Sequence, residues 1–280
     1  MTAGSVGLGA LFLLAGCSAR DAFAFGWPKG ITPQAEQMYN LWIGSVVAAL
    51  AVGVFVWGLI FWCVVRYRKR SEDLPAQTRY NMPIEILYTV IPFLIIAVLF
   101  YYTAIIQTFV DERTEKPDIT VEVVAFKWNW QFRYLDEKDA DGSTITETGA
   151  SDYVPILVVP TDQRIRFVET SKDVIHSFWV PELLFKRDVM PGYENQFEVT
   201  VQQRGEYVGR CAELCGTYHS MMNFEVRAVS PEDYQTYIDL KSQGVPTPEA
   251  LEGIGYTGKE RYAITTSPFE GKRDSAGSVK

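Results

Sequence analysis

The sequence predicts a two-helix transmembrane hairpin followed by an all-β sandwich or barrel, on three observations. Nearly all the long runs without charge lie before Asp111, and from Ile119 the apolar pattern changes from helical to alternating. Clusters of Gly, Pro and Asp then interrupt the alternating segments at short intervals, as they do between strands. The chain therefore divides into a membrane anchor and a water-facing domain.

At the N-terminus, Leu13-Leu14-Ala15-Gly16 precedes Cys17 at the end of an apolar stretch. This resembles a lipobox, so residues 1–17 are expected to be a lipoprotein-type signal whose cleavage leaves a lipidated Cys17. No Lys or Arg precedes Cys17, a departure from the basic start of such signals. Residues 18–40 form an extracytoplasmic segment. Residues 41–65 carry no charge and suffice for a membrane-spanning helix, which needs about 20 apolar residues. Cys63 falls within that run and reads as a small apolar residue without chemistry. The 66–85 loop holds Arg66, Arg68, Lys69, Arg70 and Arg79, which places it in the cytoplasm. Residues 86–110 form the second span, interrupted by Pro92 and Gln107, so both termini face outward, in agreement with lipidation of Cys17 on that side.

Residues 117–230 make the soluble domain. Alternation is clear in Ile119–Val123, Arg164–Val168, Asn195–Val199 and Asn223–Arg227, each of which reads as a strand. The polar, acidic stretch Asp136–Asp152 reads as an exposed hairpin loop. Pro231-Glu232-Asp233 starts a short helix reaching about Lys241, within a C-terminal region, 231–280, whose remainder reads as irregular chain. A formal net charge of −8 excludes a generic nucleic-acid binder, which needs a basic face, and favours a basic protein partner.

The chain has two histidines and four cysteines, and their placement is informative. Cys211-Ala-Glu213-Leu-Cys215-Gly-Thr-Tyr-His219-Ser-Met-Met222 crowds ligand types into one loop, with His176 upstream. Two thiolates, two imidazoles and a thioether form a soft donor set that favours copper over magnesium or calcium. A zinc site usually spaces its ligands as two knuckles and has no use for the methionine. A mononuclear blue-copper site needs one cysteine, so the second argues for two metals.

The pattern Cys-x-Glu-x-Cys-x3-His-x2-Met after a distant Asp-x-x-His resembles the dinuclear copper site of the cytochrome c oxidase subunit II family. The two spans, the aromatic segment Lys127–Phe132, Asp173–Pro181 and Asp188–Gly192 extend the resemblance nearly end to end. It implies a cupredoxin-like Greek-key sandwich in which Cys211 and Cys215 bridge two copper ions and His176 and His219 each terminate one. Met222 is then a weak ligand to one copper, and Glu213 gives its backbone carbonyl to the other. The Glu213 side chain reaches a magnesium or manganese ion shared with subunit I. Trp128 corresponds to the family's electron-accepting tryptophan, although Trp130 has the same parity if the segment is one strand. Glu85 corresponds to a glutamate near the mouth of a proton channel in subunit I, and as a residue at a span boundary it equally reads as an interfacial anchor.

The function implied is that of subunit II of a respiratory oxidase. It takes electrons from cytochrome c and passes them to haem a in subunit I, for oxygen reduction coupled to proton pumping. Subunits I and III and membrane lipid are the implied partners, in a bacterial plasma membrane. Acidic residues such as Asp173 would help attract a basic cytochrome c. Lys186–Pro191 and Gly216–Tyr218 are similar to subunits from high-GC Gram-positive bacteria, where the donor is often the c-type cytochrome of a bc1-type complex in a supercomplex. No Cys-x-x-Cys-His occurs, so no haem is expected on this chain. Quinol oxidase subunit II, which resembles a version without copper ligands, nitrous oxide reductase, which lacks this anchor, and a membrane-tethered copper carrier are the competing identities.

Overall fold

The computed structural model describes residues 24–256, apart from 73 and 75, together with residue 263. Cys17 and most of the C-terminal tail lie outside the described residues. The chain forms two compact units. One contains Gln37–Phe109, and the other joins Trp27–Glu36 to the chain from Val110 onward.

The helical unit is built on α1 (Pro33–Arg66) and α2 (Met82–Val110). Helix α1 starts ahead of the uncharged run because its polar first turns are capped. Thr32 Oγ1 accepts the Ala35 N–H at 3.0 Å, and Pro33 occupies the first helical position, where its missing N–H costs nothing. At the start of α2 the cap is reciprocal. Asn81 Oδ1 accepts from Ile84 N at 3.5 Å, while the Glu85 carboxylate accepts the Asn81 N–H at 2.9 Å. Both helices are long and apolar enough to cross a membrane, and Trp57, Phe61, Phe93 and Tyr101 are among the large side chains they leave exposed.

The second unit is a sandwich of two five-stranded sheets. One has the order β3 (Thr144–Thr148), β2 (Asn129–Lys138), β1 (Ile119–Phe126), β5 (Arg164–Ser171), β8 (Asn195–Thr200). The other runs β4 (Ile156–Pro160), β10 (Asn223–Val229), β9 (Gly205–Cys211), β6 (His176–Val180), β7 (Phe185–Val189). Strand pairs β1–β5 and β4–β10 are parallel and the others antiparallel, so the chain crosses between sheets as a Greek-key sandwich does. The alternation seen in the sequence is the alternation of burial: along β5, Ile165, Phe167, Glu169 and Ser171 point inward. Between the sheets, Phe178 stacks on Phe224 with centroids 4.6 Å apart, and Trp130, Phe167 and Phe197 pack edge-on or tilted around them. Each such aromatic pair adds about 0.5–1.5 kcal/mol to the stabilisation from burial.

Three details differ from the sequence reading. The acidic stretch after Asp136 is not all loop. Its first residues close β2 and Thr144–Thr148 form β3, with turns near Asp139, whose Oδ1 accepts from Asp141 N and Ser143 N, and at residues 151–152, and Glu147 on β3 is buried. After α3 (Pro231–Ser242), capped by Ser230 Oγ accepting from Asp233 N, a further short helix α4 (Thr247–Gly253) packs against it. Seven residues are too few to display helical periodicity. Finally, the chain before α1 is not a separate segment. Ile31 donates to Glu182 O at 3.1 Å and accepts from Gln202 N at 2.8 Å, and Ile31, Thr32, Gln34 and Ala35 are all buried.

Candidate metal centre

The ligand types collect at one end of the sandwich because three elements terminate there. His176 opens β6, Cys211 closes β9, and Met222 stands immediately before β10. The intervening loop is closed at its base by the Cys211 N–H on Met222 O, 3.1 Å. It turns at Gly216, whose φ of +121° suits glycine and where a Cβ would stand 3.3 Å from the Trp128 ring. A 3₁₀ turn, His219–Met221, then presents the second imidazole.

The donor atoms form a continuous cluster. His176 Nδ1 lies 3.8 Å from Cys211 Sγ, the two sulfurs are 3.8 Å apart, and Cys215 Sγ is 3.6 Å from His219 Nδ1 and 3.8 Å from Met222 Sδ. Glu213 O is 3.3 Å from Cys211 Sγ. The sulfur separation is far beyond the roughly 2.05 Å of a disulfide, and both cysteines are free thiols. The donor atoms of His176, Cys211 and Cys215 all lie within 4.8 Å of one another, close enough for one ion to touch all three. His219 meets the cluster through Cys215, so an imidazole stands beside each sulfur.

The electrostatics favour positive charge at this place. Burial opposes ionisation of Cys211, but hydrogen bonds from His176 and the backbone outweigh it and bring the thiol down to about 7. Burial, and then the neighbouring Cys211 charge, push Cys215 up to about 12. Two thiolates at this separation need a cation to hold both. This donor set fits soft metal ions, and its two sulfurs flanked by two imidazoles fit a copper pair. His176 is oriented by Asp173, whose Oδ1 lies 2.8 Å from Nε2. Burial lowers the His176 pKa, but its bonds to Cys211 and Asp173 raise it overall. Asp173 also accepts from Lys127 N at 2.7 Å and Val174 N at 2.6 Å, so despite partial burial it stays below the ordinary carboxylate value.

The two tryptophans separate cleanly. Lys127 and Trp128 form the β1–β2 turn rather than a strand, so shared parity does not apply. Trp128 is half-buried, packs edge-on against Tyr218 at 4.9 Å and donates its indole N–H to Cys215 O at 3.3 Å. Trp130 is fully buried. Glu213 is exposed in the ligand loop, beside Leu214, which is 78% exposed. Glu85 lies in the helical unit, separate from this cluster. Two features were missed in the sequence. Asp173 serves as the orienting partner of His176, which the Asp-x-x-His spacing could have signalled. Glu169 is a wholly buried carboxylate with no hydrogen-bond partner on either oxygen among the described residues; it stands at an inward position of an alternating strand and carried no signal.

The fold and the site together define a membrane-anchored, cupredoxin-like domain carrying a cluster of donors suited to a soft metal. Residues 119–229 match the family described as cytochrome c oxidase subunit II, periplasmic domain, and residues 21–105 match its transmembrane domain. The chain is 43% identical to a probable cytochrome c oxidase subunit 2 of Nocardia farcinica, covering 96% of this chain and 87% of that one. It is 42% identical to cytochrome c oxidase subunit 2 of Mycobacterium tuberculosis, covering 95% and 88%. A solved structure, the periplasmic domain of subunit II of cytochrome oxidase of Bradyrhizobium japonicum, is similar with 27% identity and a TM-score of 0.41, covering 46% of this chain and 96% of that one. The chain belongs to the cytochrome c oxidase subunit II family and is a membrane protein.

Proposed function

We propose that this chain is the electron-accepting subunit of a respiratory cytochrome c oxidase, relaying electrons from a cytochrome c towards haem a in subunit I, where oxygen reduction is coupled to proton pumping. The observation that carries the reading is the unbroken row of donors from His176 through Cys211 and Cys215 to His219, with Met222 at its side. His176, Cys211, Cys215, His219, Met222 and the carbonyl of Glu213 would hold two copper ions. When bound, the copper pair supplies a one-electron carrier whose charge is shared between two metals through the thiolates.

The protein's own work is to keep that site rigid and dry. Strand ends fix His176 and Cys211, Asp173 fixes the imidazole, and the aromatic core excludes water, which limits rearrangement on a change of charge. Trp128 is the electron-accepting residue, since it combines exposure with a hydrogen bond to the carbonyl of Cys215. The exposed Glu213 carboxylate offers a hard oxygen suited to magnesium or manganese, with the remaining ligands coming from subunit I. Glu85 combines its capping bond with a place at the inner mouth of a proton channel in subunit I.

The helices pack on subunit I, subunit III and lipid in a bacterial plasma membrane, with both termini and the β-domain outside. Lipidated Cys17 adds an outer-leaflet anchor, and a bc1-type complex in a supercomplex supplies the cytochrome. The full-length chain in lipid nanodiscs, loaded with copper, tests the reading by metal stoichiometry and electron paramagnetic resonance. Hyperfine splitting from one electron shared by two copper nuclei is expected. Splitting from a single nucleus, or zinc in preference to copper, overturns it.

A further inference from the structure

Trp130 stands behind the donor cluster, fully buried on β2, and its contacts reach two of the donor residues as well as the core. Its indole Nε1–H donates to Met222 O at 3.2 Å. That same carbonyl accepts the Cys211 N–H at 3.1 Å, so the indole shares the acceptor that joins the two ends of the ligand loop. The ring meets the His176 imidazole edge-on, with centroids 6.2 Å apart, while Phe178 and Phe224 pack at 6.0 and 5.1 Å. A tryptophan serving only as core would account for the burial and the phenylalanines. It would not account for a buried donor directed at the backbone of one donor residue with the ring packed against the imidazole of another.

The residue is itself held. Its backbone N–H donates to Asn129 Oδ1 at 2.9 Å and its carbonyl accepts from Gly149 N at 3.0 Å, where a Cβ on Gly149 would collide with Asn129. The indole therefore has a fixed place from which to fix others.

We propose that Trp130 is a positioning residue of the copper site: its N–H on Met222 O latches the loop that carries Cys211, Cys215, His219 and Met222, and its ring, packed edge-to-face with the His176 imidazole, helps set that imidazole. The proposal rests on the copper-pair reading above. Outer-shell partners of this kind typically change metal affinity by about 10–100-fold.

The test uses the full-length chain in lipid nanodiscs, comparing wild type, Trp130→Phe and Phe224→Leu. The first variant removes the donor. The second disturbs the same aromatic packing and leaves the indole bond in place. Trp130→Phe is expected to lose copper to a chelator about tenfold faster or more and to show two inequivalent copper nuclei in its hyperfine pattern. Phe224→Leu is expected to melt at lower temperature with a wild-type spectrum. A wild-type spectrum and copper retention in Trp130→Phe overturn the proposal, as does an equal spectral change in Phe224→Leu. If Trp130→Phe does not fold, Trp130→Tyr, which moves the donor while keeping an aromatic ring, is judged by the same two criteria. Absence of a copper pair in the wild type would be a failure of the underlying reading, seen before any variant is compared.

Discussion

Two of the places where the β-domain gathers buried polar groups are organised on opposite principles. Beneath α3 and α4, Glu147 accepts from Tyr153 and from Thr247 Oγ1, faces Lys241 Nζ at 3.5 Å, and Thr247 in turn meets Tyr237 OH at 3.2 Å. Tyr134 OH bridges the N–H and C=O of Val158, both at 3.0 Å. Donors there meet acceptors and a cation meets an anion, so the protein completes its own network. At the end that gathers Cys211 and Cys215 the sulfurs face each other, and the described residues provide imidazoles but no fixed cation between them. A polar cluster that is complete without a ligand is architecture; one in which electron-rich donors converge requires an ion.

The sharpest way to break this contrast is Cys215→Ser. It is expected to abolish the copper pair, read as metal per chain and as loss of the two-nucleus hyperfine pattern. The metal-free chain should unfold within about 1 kcal/mol of wild type, as a thiol-to-hydroxyl change retains a polar group of similar size. Retention of the pair would place the site elsewhere. The mirror experiment is Glu147→Ala, which leaves Lys241, Tyr153 and Thr247 without their shared acceptor. It should cost about 2–4 kcal/mol by denaturant unfolding and leave the copper spectrum unchanged.

The two spans, the period-2 strands and the residues that cluster as donors, His176, Cys211, Cys215, His219 and Met222, were legible in the sequence, because each is a local signal: an uncharged run, an alternation, a spacing. What it could not carry depends on pairing between distant segments. Trp128 and Trp130 are told apart only by the turn that the β1–β2 register imposes at residues 127 and 128. Glu169 occupies a slot filled by apolar residues at its neighbours Ile165 and Phe167, and only the closed sandwich shows that its carboxylate has no hydrogen-bond partner among the described residues. Helix α4 exists because it packs on α3, not because seven residues favour helix.

A smaller effect sharpens the comparison through pH. In the metal-free protein Cys211 ionises near 7 and Cys215 near 12, against an ordinary value of 9.0. A lowered folded pKa means that Cys211 contributes stability above the ordinary value and loses it as pH falls through about 7. The raised pKa of Cys215 acts in the opposite direction, removing stability as pH rises from 9 towards 12. The pair alone therefore gives a stability maximum near pH 9 in metal-free protein, and copper should flatten it. Thermal melts across pH, alongside thiolate absorbance, check this; identical profiles with and without copper would contradict it.

The smallest effect concerns Glu169, which burial holds well above the usual carboxylate range despite the opposing influence of Arg187. Above its ordinary value of 4.5 the unfolded chain is ionised while the folded one keeps its proton, so folding loses stability as pH rises. Glu169→Gln should remove that slope. Its melting temperature is expected to exceed that of wild type at neutral pH and to converge with it on acidification, whereas a constant difference would assign the effect to packing.

The segment around Ile31 gives the domain a history as well as a shape. Its partners, Glu182 and Gln202, stand far downstream, beyond both membrane helices. The first part of the β-domain to leave the ribosome must therefore wait for strands that are synthesised late. Until they arrive, Ile31 and Ala35 have nowhere to bury themselves, and a domain cut out at Pro117 would carry an open slot where they belong. The completed fold is thus a splice of early and late chain, closed only after both crossings of the membrane have been made.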